Sequence, residues 1–245
     1  MMSGGFRDIF CPSTGACAEG QGHAGLFLNA SRIFPLPNEQ ERMSEINSVE
    51  ALRAVIGNKV EAIEDKNIDH LDDFATDFIA KSPFLILSTA DDAGRCDASP
   101  KGDAPGFVEV VDSKTLLIPD RPGNKLAYGH ENILKNPRVG LLFCLPGTNE
   151  TLRINGTAQL SADPALLDKL AARRKPAVLV IRVSVEECFF HCGKAFIRSA
   201  LWSPESWEPP HRVSFGAMFA ARKNLDKEVE RMIDDSIAAD YEENL

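Results

Sequence analysis

The sequence predicts a mainly β fold with flanking helices, closed as a small antiparallel barrel. Three observations predict it. From residue 84 onward, apolar runs alternate with tight-turn sequences such as Asp91-Asp92-Ala93-Gly94 and Pro146-Gly147, the spacing of hairpin-linked strands. Helical spacing appears mainly at the edges of this strand-rich region. Regular β-α-β alternation is absent from the sequence, which argues against a doubly wound sheet.

The elements follow in order. Residues 1–42 are rich in Gly, Ala, Ser and Pro and carry no sustained period, so they read as a disordered or loosely docked leader. Helix grammar begins after Met43, which would serve equally as a start. Residues 43–82 read as N-terminal helices packing on the barrel. Ser48 caps a helix over 49–56 with Leu52, Val55 and Ile56 on one face and Gly57 as its stop. Asp69 caps a second helix whose Leu71, Phe74, Phe78 and Ile79 repeat at helical spacing, ended by Ser82-Pro83.

Residues 83–207 form the core. Strands are expected over 84–90 and 95–100. A hairpin over 107–111 and 115–119 turns at Asp112-Ser113-Lys114. A helix over 124–135 is closed by Asn136-Pro137. Strands follow over 138–145 and 151–160. Asp163-Pro164 opens another helix, with proline in the favoured first turn. A long strand rich in Val and Ile covers 178–190. Residues 208–245 read as a linker and one helix, with Leu225, Val229, Met232, Ile233 and Ile237 as its apolar stripe.

Composition narrows the function. The chain has 245 residues, 44% of them hydrophobic, and a net charge of −9. An acidic surface repels nucleic acid, while a small phosphorylated ligand needs only a few local cations. No apolar run approaches the roughly 20 residues of a membrane span. Six cysteines at this length are too sparse for a disulfide scaffold and fit a reducing cytoplasm.

Five constellations bear on chemistry. Gly20-Gln21-Gly22-His23-Ala24-Gly25 matches a dinucleotide fingerprint but has no strand before it, so chance in a Gly-rich leader explains it. Asp97-Ala98-Ser99-Pro100-Lys101-Gly102-Asp103 fits a strand end and turn; it also offers a hydroxyl, backbone N–H groups and an ammonium to a phosphate. Pro119-Asp120-Arg121-Pro122-Gly123-Asn124-Lys125 follows a strand and opens a helix. A helix start attracts phosphate, and Arg121, Asn124 and Lys125 surround that point, unless they simply line a solvated turn. In Glu150-Thr151-Leu152-Arg153-Ile154-Asn155-Gly156, alternation places Thr151, Arg153 and Asn155 on one polar face, toward ligand or water. In the run from His191 to Trp202, Lys194, Arg198 and Trp202 recur four apart and would share a helix face. Cys188, His191 and Cys192 lack a second ligand pair, which argues against zinc. No G-x-S-x-G elbow, HExxH or Walker A is present.

In order and spacing, these segments resemble the pyridoxamine 5′-phosphate oxidase-like FMN-binding split-barrel family. The match is closest to its small bacterial branch of FMN-dependent proteins. Ser99-Pro100-Lys101-Gly102-Asp103, Pro105-Gly106-Phe107-Val108, Pro119-Asp120-Arg121-Pro122-Gly123-Asn124, the Glu150–Gly156 run and His191-Cys192-Gly193-Lys194-Ala195-Phe196-Ile197-Arg198-Ser199 carry the resemblance, which covers about residues 48–207. It implies a homodimer of small split barrels with two FMN molecules in interface grooves. It implies Lys101, Arg121, Asn124 and Lys125 around the phosphate, with Ser99 and Thr151 along the flavin. It implies that Lys194, Arg198 and Trp202 approach from the partner subunit or cap the ring. The activity implied is electron transfer between a nicotinamide donor and a small organic acceptor. The alternatives are a flavin-binding module without turnover, and a pyridoxamine 5′-phosphate oxidase proper. The last is disfavoured by Cys96, where true oxidases carry a basic residue, and by a missing C-terminal Arg-containing substrate motif.

Overall fold

The computed structural model describes residues 45–60, 63 and 65–244; the predicted leader and its glycine motif lie outside them. The chain divides into two compact units after Asn58. In the first, helix α1 spans Val49–Ile56, capped by the Ser48 side chain and closed by Gly57, as the sequence predicts.

The second unit carries the sheet. Helix α2 (Asp73–Lys81) leads into β1 (Phe84–Ala90), β2 (Cys96–Gly102), β3 (Glu109–Asp112) and β4 (Thr115–Asp120). Helix α3 (Tyr128–Lys135), β5 (Arg138–Cys144), β6 (Thr151–Ser161), α4 (Pro164–Lys169) and β7 (Leu179–His191) follow. A short helix α5 (Lys194–Arg198), then α6 (Phe215–Lys223) and α7 (Lys227–Glu243), complete the unit. The seven strands form one sheet in the order β2-β1-β5-β6-β7-β4-β3, every pair antiparallel. Pro100 sits on the outermost strand, where a missing N–H breaks no ladder.

The sheet curls on itself. Leu85, Leu116, Ile118, Phe143, Ile154 and Ile181, drawn from five strands, share one buried cluster. Inward residues alternate with outward ones along β1 and β5, the period of a barrel wall. Helix α2 adds Phe78 and Ile79 to that cluster, with Phe78 edge-on to the Phe190 ring. The split barrel is therefore the fold the sequence predicts.

Four details differ. Asp72, not Asp69, caps α2; Asp69 instead pairs with Lys114. Phe74, placed on the apolar stripe, is 77% exposed. Helix α3 starts at Tyr128 rather than Asn124. Pro122-Gly123 and the left-handed backbone of Lys125 (φ 60) and Ala127 (φ 55) hold the preceding loop out of the helix. The C-terminal segment holds two helices, and Leu225 lies in their connection after left-handed Asn224.

Candidate cofactor site

The site is built at the end of the barrel where β2 and β4 finish. Alternation along β2 sets Asp97, Ser99 and Lys101 opposite Thr89, Leu87 and Leu85, whose side chains are buried. These three therefore face inward, and Cys96, Ala98 and Pro100 face out. Lys101 Nζ donates to Asp120 Oδ1 at 2.5 Å. The next residue, Arg121, donates through Nε to Asp103 Oδ2 at 2.8 Å and through Nη1 to the Leu170 carbonyl at 2.9 Å. Each side thus supplies one cation and one carboxylate to the other. Because β2 and β4 stand five places apart in the sheet, this reciprocal pair of ion pairs clasps the curled barrel. Both pairs are largely withdrawn from solvent, with side-chain exposures of 16% and 15% for the first and 25% and 10% for the second.

Helix α3 closes over this end, packing on β1, β2 and β6. Gly129 faces these strands at a distance that a Cβ would also tolerate. A side chain there would begin 3.5 Å from Asp97 Oδ2, 3.7 Å from Thr89 Oγ1 and 3.8 Å from Ser99 Oγ. The helix start has no side-chain cap, so its first backbone N–H groups are offered to whatever lies beyond. His130 sits in this first turn. Its Nε2 is buried, 3.5 Å from Asp120 Oδ2, and has no hydrogen-bond partner among the described residues. Burial pushes the Asp120 carboxyl upward, but His130 and Lys101 together outweigh it and hold the group below the usual carboxylate range. At 3.5 Å the imidazole contact is long, so Lys101 is the firmer partner.

The structure gathers the predicted residues in two groups. Ser99, Lys101 and Arg121 meet at the clasp, with Asn124 and Lys125 on the loop that follows. Asn124 Oδ1 accepts from the Leu126 N–H within its own loop. Lys125 is exposed and makes no ion pair among the described residues. The second group surrounds the β5–β6 turn. Thr151 is buried opposite Cys144 and His191. Its ladder row runs through Cys144 and Phe84 to Gly102, so it faces away from Lys101, roughly 14 Å across the strands. Lys194 and Arg198 lie exposed on α5. That helix ends at Arg198, so Trp202 does not share its face as predicted. Trp202 instead donates Nε1 to the Thr148 carbonyl at 2.8 Å and stacks on Phe196 at 5.7 Å. One protomer does not bring the two groups together.

Three features escaped the sequence reading. Asp103 and Asp120 sit inside the quoted motifs, but carboxylates beside a phosphate site read as turn residues. His130 carries no local signal. The third is a groove of about 610 Å³ on the outer face, lined by Ser88, Ala98, Arg138, Gly140, Asn155 and Glu186 among others. Its floor had a legible cause. Ala98, Ser88 and Gly140 are small, outward and in register on three neighbouring strands, which leaves a trough in the sheet surface. Arg138 reaches Glu186 across one rim, and Asn155 Nδ2 donates to Glu187 Oε2 at 2.6 Å.

These residues fit a phosphorylated planar ligand. The groove has the volume of a small-molecule site. The uncapped helix start, the guanidinium donors of Arg121 that Asp103 and Leu170 leave unused, and Lys125 are the groups that could meet an anion. Lys101 is committed to Asp120.

Comparison with known proteins gives one family. The model described as pyridoxamine 5′-phosphate oxidase matches residues 71–192. No curated protein matches the chain. Among solved structures, HupZ of Group A Streptococcus is 19% identical, with a TM-score of 0.41 over 49% of this chain and 93% of that one. A putative pyridoxamine 5′-phosphate oxidase from Lactobacillus delbrueckii is 24% identical, with a TM-score of 0.40 over 50% of this chain and 95% of that one. An FMN-binding protein from Syntrophomonas wolfei is 11% identical, with a TM-score of 0.37 over 57% of this chain and 95% of that one.

Proposed function

This chain belongs, through residues 71–192, to the pyridoxamine 5′-phosphate oxidase-like family, and from that premise we propose that it binds FMN as a homodimer and acts as an oxidoreductase. The observation that carries the reading is the clasp end of the barrel. Arg121 and Lys101 converge there beside an uncapped helix start. The clasp's charges cancel in two pairs, and the uncapped helix start with the guanidinium donors that Arg121 leaves unused is what a phosphate ester would meet. The groove on the outer face offers a small-residue floor on which a ring system could lie.

The outward face of the sheet supports the dimer reading. Phe84 and Ile86 of β1, Leu142 of β5 and Phe189 of β7 point outward from three strands and are only partly covered. A twofold partner would bury this face and bring its own Lys194, Arg198 and Trp202 toward the groove, uniting the two groups that one protomer keeps apart. When bound, the flavin supplies hydride and electron chemistry between a nicotinamide donor and a small organic acceptor. This chain's residues then bind the phosphate, orient the ring and limit water.

The absorbance spectrum of the purified protein tests the reading, followed by anaerobic addition of NADH or NADPH. A bound flavin bleached by either nucleotide is expected. A flavin that resists both would leave a binding module without turnover. Light scattering is expected to give a dimer, and a flavin-loaded monomer at micromolar concentration would contradict the interface.

A further inference from the structure

The groove on the outer face ends at an amide whose orientation is fixed from behind. Asn155 Nδ2 donates to Glu187 Oε2 at 2.6 Å, and Asn67 Nδ2 donates to Glu187 Oε1 at 2.8 Å. A carboxylate only accepts, so Asn155 must turn its nitrogen to Glu187 and its oxygen away. Asn155 Oδ1 therefore stands over the groove floor, 3.4 Å from the point where a Gly140 side chain would begin, and no donor reaches it among the described residues. We propose that Asn155 Oδ1 reads the ring N–H of the flavin's pyrimidine edge. Glu187, which does not line the groove, is the positioning residue that makes this atom an acceptor. The proposal rests on the flavin reading above.

Strand register explains the placement. Ala98, Ser88, Gly140, Asn155 and Glu187 pair in one row across β2, β1, β5, β6 and β7. The first three are small and form the floor. Asn155 is the first side chain in the row long enough to stand above it. Glu187 comes next, so its carboxylate meets Asn155 from the side away from the floor. Gly140 keeps the space in front of Oδ1 open: across it, Ser88 Cβ lies 3.9 Å from the same point. Toward the other end of these strands, the outward positions are Phe84 and Ile86 of β1 and Leu142 of β5. The apolar patch that a partner would cover therefore stops where the groove begins.

The chemistry selects one edge of the ring system. A flavin's pyrimidine edge is an imide, in which two carbonyl oxygens flank a single N–H. A fixed acceptor pairs with that N–H. An amide free to turn would present nitrogen or oxygen alike and would not discriminate. The exposed hydroxyl of Ser88, across Gly140, is a donor for a flanking carbonyl. Elsewhere on the groove wall, Arg138 is engaged with Glu186, and Cys96 Sγ is 3.6 Å from the Gly94 carbonyl. Asn155 is thus the groove residue whose acceptor is both held in place and unused.

The test is titration of the full-length apo chain, monitored by flavin fluorescence, with FMN and with 3-methyl-FMN, in which a methyl group replaces the proton of the ring N–H. We expect the wild type to bind FMN about tenfold more tightly, because the methyl removes the donor and enters the place of the hydrogen bond. Asn155→Ala removes the acceptor and makes room, so it should bind FMN about tenfold more weakly than the wild type does and bind the two flavins alike. Asn155 is partly exposed and Glu187 keeps its bond from Asn67, so this variant should fold; the wild-type comparison needs no variant at all. Glu187→Gln has the same shape but can present nitrogen or oxygen to Asn155. Its preference for FMN should narrow, which a merely structural role for Glu187 would not cause. Equal wild-type affinity for the two flavins, or a preference unchanged in Asn155→Ala, overturns the contact and leaves flavin binding standing. A preference unchanged in Glu187→Gln overturns the positioning role of Glu187. A wild type that binds neither flavin overturns the flavin reading and this proposal with it.

Discussion

Asp120 anchors one half of the clasp. It is mostly buried between Lys101 and His130, and removing it leaves a buried ammonium without a partner. Breaking a pair of this kind costs about 3 kcal/mol, so Asp120→Asn should lower the midpoint of chemical denaturation clearly at pH 7. Because the Asp120 carboxyl is held below its ordinary value, its stabilisation is present above the unfolded carboxylate range and fades as pH falls through the folded value. The wild type and Asp120→Asn should therefore converge in stability in acid, and a gap unchanged down to pH 2 would remove Asp120 from the clasp. Cysteines divide by the same logic of burial. Burial, helped by the charge of Asp72, pushes the Cys188 thiol up to about 11, and burial alone raises Cys144. Iodoacetamide at pH 8 should alkylate Cys96 and Cys192, which are exposed, and leave Cys144 and Cys188 unmodified by mass spectrometry.

At the scale of elements, strands were the most legible part of the sequence. Turn chemistry at Asp91–Gly94 and Pro146-Gly147, with apolar runs between, marked the strands to within a few residues, because their inward faces are the core itself. Helix starts were less legible. Asp69 and Asp72 are equally good caps by type, and only packing chose Asp72. The α3 start was missed because left-handed Lys125 and Ala127 are uncommon conformations for those residues. The two-helix C-terminal segment was missed because Phe215–Lys223 carries only Gly216 and Ala220 buried, too few to print a stripe. Strand pairing also hides a constraint in Gly156. A Cβ there would lie 2.0 Å from the Ser184 carbonyl, where the β6–β7 register shifts. Gly156→Ala must displace backbone in the longest ladder, so a loss of about 2 kcal/mol is expected. A thermal midpoint equal to the wild type would mean that the bulge is free to relax.

At the scale of the whole molecule, the barrel is closed twice: by the apolar cluster inside and by reciprocal ion pairs at one end. The site was legible as a set of residue types but not as an arrangement. Ser99, Lys101 and Arg121 stand out in the sequence because a phosphate site would ask for a hydroxyl and cations at strand and helix ends. That those cations already hold Asp120 and Asp103 could not be read, since the partners are 19 and 18 residues distant and meet only when the sheet curls. Nor could sequence spacing show that Thr151 and Trp202 stand at a different place from Lys101 within one chain. Among the described residues no helix is long and apolar enough to cross a membrane.

The most direct measurement is titration of apo protein with FMN and with riboflavin, in the wild type and in Arg121→Ala. A charge-assisted hydrogen bond to phosphate contributes about 1.5–3 kcal/mol. The account therefore predicts that the wild type binds FMN more tightly than riboflavin, and that Arg121→Ala weakens FMN by about one to two orders of magnitude while leaving riboflavin nearly unchanged. Equal weakening of both ligands would make Arg121 a structural brace to Asp103 and Leu170 alone, and a wild type that binds neither would contradict the flavin reading at its root.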